Sequence, residues 1–135
     1  MSAVGVIAVV VVLVTATVFG LLRRSRGGRL RTTAIADPVS LDFELGERAT
    51  LVQFSSAFCR PCVATRHVLG AVAGSVPGVR HVEVDAESHL DLVRRLDVMS
   101  TPTTLLLDRD GRVRRRATGV PRREAVLAAL ADVVD

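Results

Sequence analysis

Cys59 and Cys62 are the only cysteines in the 135-residue chain, and only Arg60 and Pro61 separate them. Two thiols at that spacing can close into a small disulfide and reopen by thiol–disulfide exchange. The same pair could serve as an inert crosslink or as part of a metal site. Zinc needs more ligands, however, and His67, five residues on, would sit on another face of a helix; no second C-x-x-C exists, so no metal is expected. The flanking residues favour redox chemistry. Leu51, Val52 and Phe54 form an apolar run that leads through Ser55, Ser56 and Ala57 to Phe58, which reads as a buried strand. Pro61 and the helix formers after Cys62 read as the first turn of a helix. A strand that delivers thiols onto a helix N-terminus sets unpaired N–H groups and the positive end of the helix dipole beside the first sulfur. That favours a thiolate. Cys59 is the candidate nucleophile and Cys62 the resolving thiol. Arg60 adds a cation that stabilises the Cys59 thiolate further, with Pro61 setting the turn between them.

The elements that must position this pair follow from apolar periodicity. Val39, Leu41, Phe43 and Leu45 alternate with polar residues and predict a first strand over Val39 to Leu45. Gly46-Glu47-Arg48 turns the chain into a central strand at Thr50 to Phe54. Val63, Val68, Leu69 and Val72 predict a helix from Arg60 to about Ala73, ended by Gly74, Pro77 and Gly78. A strand around Val79 to Ala86 and a short helix from Ser88 to Leu96 come next. Thr104 to Leu107 is a further strand, Asp108 to Gly111 a hairpin turn, and Arg112 to Ala117 its returning partner. Pro121 opens a last helix carrying Ala125, Val126, Leu127, Leu130 and Val133. The order β-β-α-β-α-β-β-α predicts an α/β domain with a mixed central sheet flanked by helices.

Ahead of this domain, Ala3 to Leu22 are twenty residues without a charge, about 30 Å of helix at 1.5 Å per residue, the thickness of a bilayer's hydrocarbon core. A signal peptide normally carries a charged start and a small-residue cleavage site; here Arg follows the apolar run, and the segment reads as an uncleaved transmembrane helix. Residues 23–38 hold Arg23, Arg24, Arg26, Arg29 and Arg31 together with Gly27-Gly28, and read as a flexible juxtamembrane linker to a domain at 39–135. No acidic residue precedes Asp37, so the net charge of +4 belongs to this segment and gives no reason to expect nucleic acid binding. Five Arg after the span and none before it place the domain on the cytoplasmic side of a cell membrane, crossed once, with residues 3–22 in lipid and Arg23 to Arg31 against anionic headgroups.

At this point the chain resembles the thioredoxin family. The likeness covers about Val39 to Val134 and rests on the strand ending in Phe58 and C-x-P-C, on Thr101-Pro102-Thr103 with Pro102 forty residues beyond Cys62, on the Asp110-Gly111 turn, and on Gly119. It implies a thioredoxin-like fold, a cis peptide before Pro102, and a substrate groove formed by Phe58, Thr101, Pro102 and Gly119. It implies thiol–disulfide exchange by the Cys59–Cys62 pair on disulfide-containing proteins, an upstream electron donor, and no cofactor beyond the dithiol. Four positions depart from the family. Phe58 replaces its tryptophan. Gln53 stands where a buried aspartate takes the resolving thiol's proton, leaving that role vacant or filled by water. His81 replaces the lysine that partners the aspartate, and His67 replaces a helix proline. Arg60, where many members have glycine, predicts a potential above that of ordinary thioredoxin. The expected function is a membrane-tethered thiol–disulfide oxidoreductase that reduces or exchanges protein disulfides. The alternatives are a thioredoxin-like partner-binding module with little turnover, or an extracytoplasmic reductase or isomerase serving cytochrome or metal-centre assembly.

Overall fold

The computed structural model describes residues 2–33, 38 and 41–134. Its first element, α1 (Ala3–Arg26), carries the apolar run on through the first three arginines. It is long and apolar enough to cross a membrane, and none of its side chains is buried by the rest of the chain. Then come β1 (Arg31–Thr32), β2 (Ala49–Ser55), α2 (Arg60–Ser75), β3 (Val79–Asp85), α3 (Leu90–Arg95), β4 (Thr103–Asp108), β5 (Val113–Thr118) and α4 (Arg123–Val134). Among the described residues the five strands form one mixed sheet in the order β1-β5-β4-β2-β3. The β2–β3 pair is parallel, its crossover supplied by α2; the hairpin β4–β5 and the β2–β4 and β1–β5 pairs are antiparallel.

Every residue of β2 is buried, as its place between β3 and β4 requires. Its side chains alternate between two cores. On one face, Ala49 and Leu51 pack with Leu106 against Leu69 and Val72 of α2 and Val126 and Leu130 of α4. On the other, Val52 and Phe54 pack with Leu105 and Leu107 against Leu92 and Leu96. Each of these large side chains contributes about 1.5–3 kcal/mol by leaving water, enough together to hold α2 rigidly over the end of β2. The buried stripe of α2 is Cys62, Thr65, Leu69 and Val72. Val63, one of the apolar positions that predict the helix, is exposed, because Cys62 and Thr65 occupy the inward positions.

Three expectations are corrected. The strand at Val39 to Leu45 is not formed over its described residues 41–45; Val39 and Ser40 lie outside them. Leu41, Phe43 and Leu45 still pack against the second core, so the alternation reported burial without a hydrogen-bonded ladder. The segment after the span is not a free tether. Arg31 and Thr32 pair with Arg116 and Arg115, and the Thr33 N–H donates to the Arg114 carbonyl at 3.2 Å. β5 is therefore covered there, not a bare edge. The short helix after Ser88 also starts later than expected, at Leu90, because the Ser88 hydroxyl and the Glu87 N–H bond the Asp85 carboxylate in a preceding turn.

Candidate active site

β2 ends at Ser55, and the chain turns through Ser56 and Ala57 to Phe58, which has φ +60° and a fully exposed ring. A left-handed backbone at an aromatic residue costs about 1–2 kcal/mol, and here it sets the direction from which Cys59 enters the helix. Cys59 is the N-cap of α2, and its Sγ accepts from the Cys62 N–H at 3.3 Å. Pro61, in the first turn, has no N–H to leave unpaired there. The two cysteines form a disulfide with their Cα atoms 5.3 Å apart. Cys59 is partly exposed and Cys62 is buried. An attacking sulfur has to be reached from solvent while a resolving sulfur need not be, so the pair is divided as thiol–disulfide exchange requires.

The peptide between Thr101 and Pro102 is cis. The Thr101 hydroxyl lies 2.8 Å from that of Ser56, which ties this loop to the turn before Phe58. Gly119, at φ +85°, donates its N–H to the Pro102 carbonyl at 2.9 Å. Thr101, Pro102 and Gly119 thus come together, and Ser56 joins them to the dithiol turn. Phe58, Cys59, Arg60 and Cys62 line one open cleft of about 480 Å³, shared with Ser56, Val63 and Arg66. Sequence reasoning missed Arg66, whose guanidinium makes a two-pronged contact with Glu83 at 2.5 and 2.6 Å. The hydrogen bond from Arg66 holds the Glu83 carboxyl below the usual carboxylate range. The pair spans 17 positions, so nothing in the local sequence signals it.

Beneath the disulfide, Gln53 is fully buried and all its polar capacity is directed. Nε2 donates to the Cys62 carbonyl at 2.8 Å and to the Ser55 hydroxyl at 3.0 Å; Oε1 faces His81 Nε2 at 3.0 Å. A carbonyl can only accept, so the amide nitrogen must point at Cys62 and the oxygen at His81, and the His81 ring must carry a proton on Nε2. Burial lowers the His81 pKa, opposed by the nearby Glu83 carboxylate and reinforced by Arg66. Among the described residues, no group of three or more His, Cys, Asp or Glu side chains is placed to hold a metal ion.

The profile of the thioredoxin-like domain matches residues 43–134, most of the chain. The chain belongs to the thioredoxin family. It is 30% identical over 107 residues to thioredoxin from Mycolicibacterium smegmatis, an alignment that takes in 76% of this chain and 95% of that one. It is 32% identical over 88 residues to human thioredoxin domain-containing protein 2, covering 64% of this chain but only 16% of the human protein. Among solved structures, a point mutant of thioredoxin from Halobacterium salinarum NRC-1 superposes with a TM-score of 0.60 at 18% identity, over 66% of this chain and 77% of that one. Family membership and the disulfide-capable pair make this a thioredoxin-like oxidoreductase domain, a type that works through its cysteines without a cofactor.

Proposed function

We propose that the protein is a membrane-tethered oxidoreductase that reduces or exchanges protein disulfides through Cys59 and Cys62. The observation that carries this reading is the asymmetry of the pair: a partly exposed Cys59 sulfur at the N-terminus of α2, and a buried Cys62 held 3.3 Å away through its N–H. In the reduced protein, the Cys59 thiolate attacks one sulfur of a substrate disulfide. A mixed disulfide forms, and the other substrate sulfur leaves as a thiolate that takes a proton from solvent. The Cys62 sulfur, having lost its own proton, then attacks Cys59 Sγ. The first substrate thiolate leaves, and the Cys59–Cys62 disulfide carries away the two electrons' worth of oxidation. In this reading Thr101, Pro102 and Gly119 border the path of the substrate strand, and the exposed Phe58 lines the cleft at Cys59. Arg60 tunes the thiolate. An upstream donor returns the pair to the dithiol. In this reading α1 is a single membrane span, and the five arginines after its apolar run put the domain on the cytoplasmic side.

A Cys62→Ser variant of the full chain tests the chemistry. Attack by Cys59 proceeds, resolution cannot, and mixed disulfides with partner proteins accumulate, while Cys59→Ser traps none. Partner binding that persists equally in Cys59→Ser would instead make the domain a binding module. Orientation is tested on intact cells with a membrane-impermeant thiol reagent after mild reduction. Labelling of Cys59 only after lysis is the expected result. Labelling before lysis places the domain outside.

A further inference from the structure

The segment between α1 and the sheet is seated on the domain by a residue whose type is dictated. Gly28 is buried at φ +75° and donates its N–H to the Thr118 carbonyl at 2.5 Å, and a Cβ there would run into the Val120 carbonyl. With Arg31 and Thr32 paired to β5 just beyond, α1 ends across a cleft from the rim of the dithiol site. Between them lies a cleft of about 980 Å³. Leu21, at the end of the apolar stretch, forms part of its wall, facing Pro61 of the active-site turn and Gly119. Arg24 and Arg29 enter from the juxtamembrane segment and Arg122 from the junction of β5 and α4. Among the described residues no acidic side chain lines this cleft, and none of the three arginines has an ion-pair partner. Arg122 lies ninety-odd residues from the basic run, so its arrival beside Arg24 and Arg29 is a product of the fold.

We infer that this cleft binds the headgroup of an anionic phospholipid from the bilayer that α1 crosses, a proposal that rests on the membrane-tethered reading. Three arginines that line one cleft, with no ion-pair partner among the described residues, repel one another, and a phosphate diester relieves that repulsion with the planar, two-pronged geometry that Arg accepts. The position suits a lipid and not a free anion. Leu21 closes a stretch as long as the hydrocarbon core is thick, so the arginines just after it stand at the level of the headgroups, and the apolar wall can accept the first carbons of an acyl chain. The bound lipid bridges the anchor and the dithiol rim. It thereby holds Cys59 and Cys62 beside the headgroup layer, where the disulfides within reach belong to the surface segments of membrane proteins.

The full chain is reconstituted into nanodiscs of phosphatidylcholine carrying a phosphatidylglycerol probe with a photoreactive headgroup. Crosslinks are expected in the peptides around Arg29 and Arg122. Arg122→Gln should lower their yield about fivefold, the loss expected for one arginine at an anionic surface. Arg112→Gln removes an exposed charge outside the cleft and should leave the yield unchanged. Equal losses in the two variants, equal crosslinking by a phosphatidylcholine probe, or full competition by millimolar inorganic phosphate would each overturn the lipid site. Alkaline carbonate extraction separates this from the reading beneath it. A chain that carbonate releases from vesicles is not spanned by α1, and both ideas fall; a retained chain with no Arg122 effect sinks the lipid site alone.

Discussion

Replacing Gln53 with Leu keeps the volume near β2 and removes every polar contact beneath the disulfide. Three hydrogen bonds disappear: to the Cys62 carbonyl, to the Ser55 hydroxyl and from His81. His81 is half-buried and can turn its ring toward water, so its bond costs little to lose. The other two acceptors lie in the interior, and each bond is worth about 1 kcal/mol net, so the variant should be about 2 kcal/mol less stable by urea unfolding. The kinetic consequence is more diagnostic. Gln53 grips the backbone of Cys62, not of Cys59, so it positions the resolving sulfur and leaves the attacking one free. Stopped-flow measurement on a model protein disulfide should show mixed-disulfide formation near the wild-type rate and resolution slowed about tenfold, the effect of a misplacement worth about 1.4 kcal/mol in the second step. Gln53→Asn, with a shorter arm, should resemble Leu. Equal slowing of the two steps, or a stability change within about 0.5 kcal/mol, would refute the positioning role, since surface changes of no structural consequence fall in that range.

Burial lowers the His81 pKa, so the unfolded chain binds the proton more readily than the folded one. Stability should therefore fall as the pH drops through the unfolded value of about 6.5 and toward the folded value, and His81→Gln, which keeps a donor for Gln53, should flatten that window in thermal unfolding curves. Glu83, held low by Arg66, adds a loss of stability only further into acid, below about pH 4.3, and a small one, because the pair is largely exposed. The Thr104 hydroxyl is buried without a hydrogen-bond partner among the described residues, so Thr104→Val should stabilise the fold by about 1 kcal/mol, read from the urea midpoint. The potential of the pair should lie above the ordinary thioredoxin value of about −270 mV, and Arg60→Gly should lower it by about 10–20 mV in a glutathione titration, the worth of one solvent-screened charge; a wild-type value at or below about −270 mV would remove Arg60 from the argument.

The dithiol, its strand, its helix and the hairpin were legible because each leaves a local signature: an apolar run, a proline in the first helical turn, a glycine at the reversal of β4 into β5. What was not legible depended on where side chains met across the sheet. Val39 to Leu45 carries the alternation of a strand, yet residues 41–45 bury Leu41, Phe43 and Leu45 without pairing. Periodicity reports which side is buried and is silent on whether the backbone has a neighbour to bond. The inward face of α2 was not legible for a related reason. The stripe it buries is led by Cys62 and Thr65, residues that a count of apolar side chains passes over, and Thr65 satisfies its hydroxyl on the Pro61 carbonyl at 2.9 Å.

Gly27-Gly28 shows the limit most clearly. Two glycines among arginines have the composition of a flexible tether, and composition cannot distinguish a glycine chosen for freedom from one chosen for closeness. At Gly28 the backbone passes so near the Val120 carbonyl that a side chain is excluded. The consequence reaches the chemistry. A free tether of roughly sixteen residues would let the domain sweep tens of ångströms from the membrane and dilute its dithiol accordingly. A segment paired to β5 from Arg31 sets the dithiol rim at a defined distance from the end of α1, so under the proposed membrane tethering effective concentration would rise for disulfides near that level and collapse for those beyond it. The same departure that made the linker unreadable is thus the feature that would decide which disulfides this domain can meet.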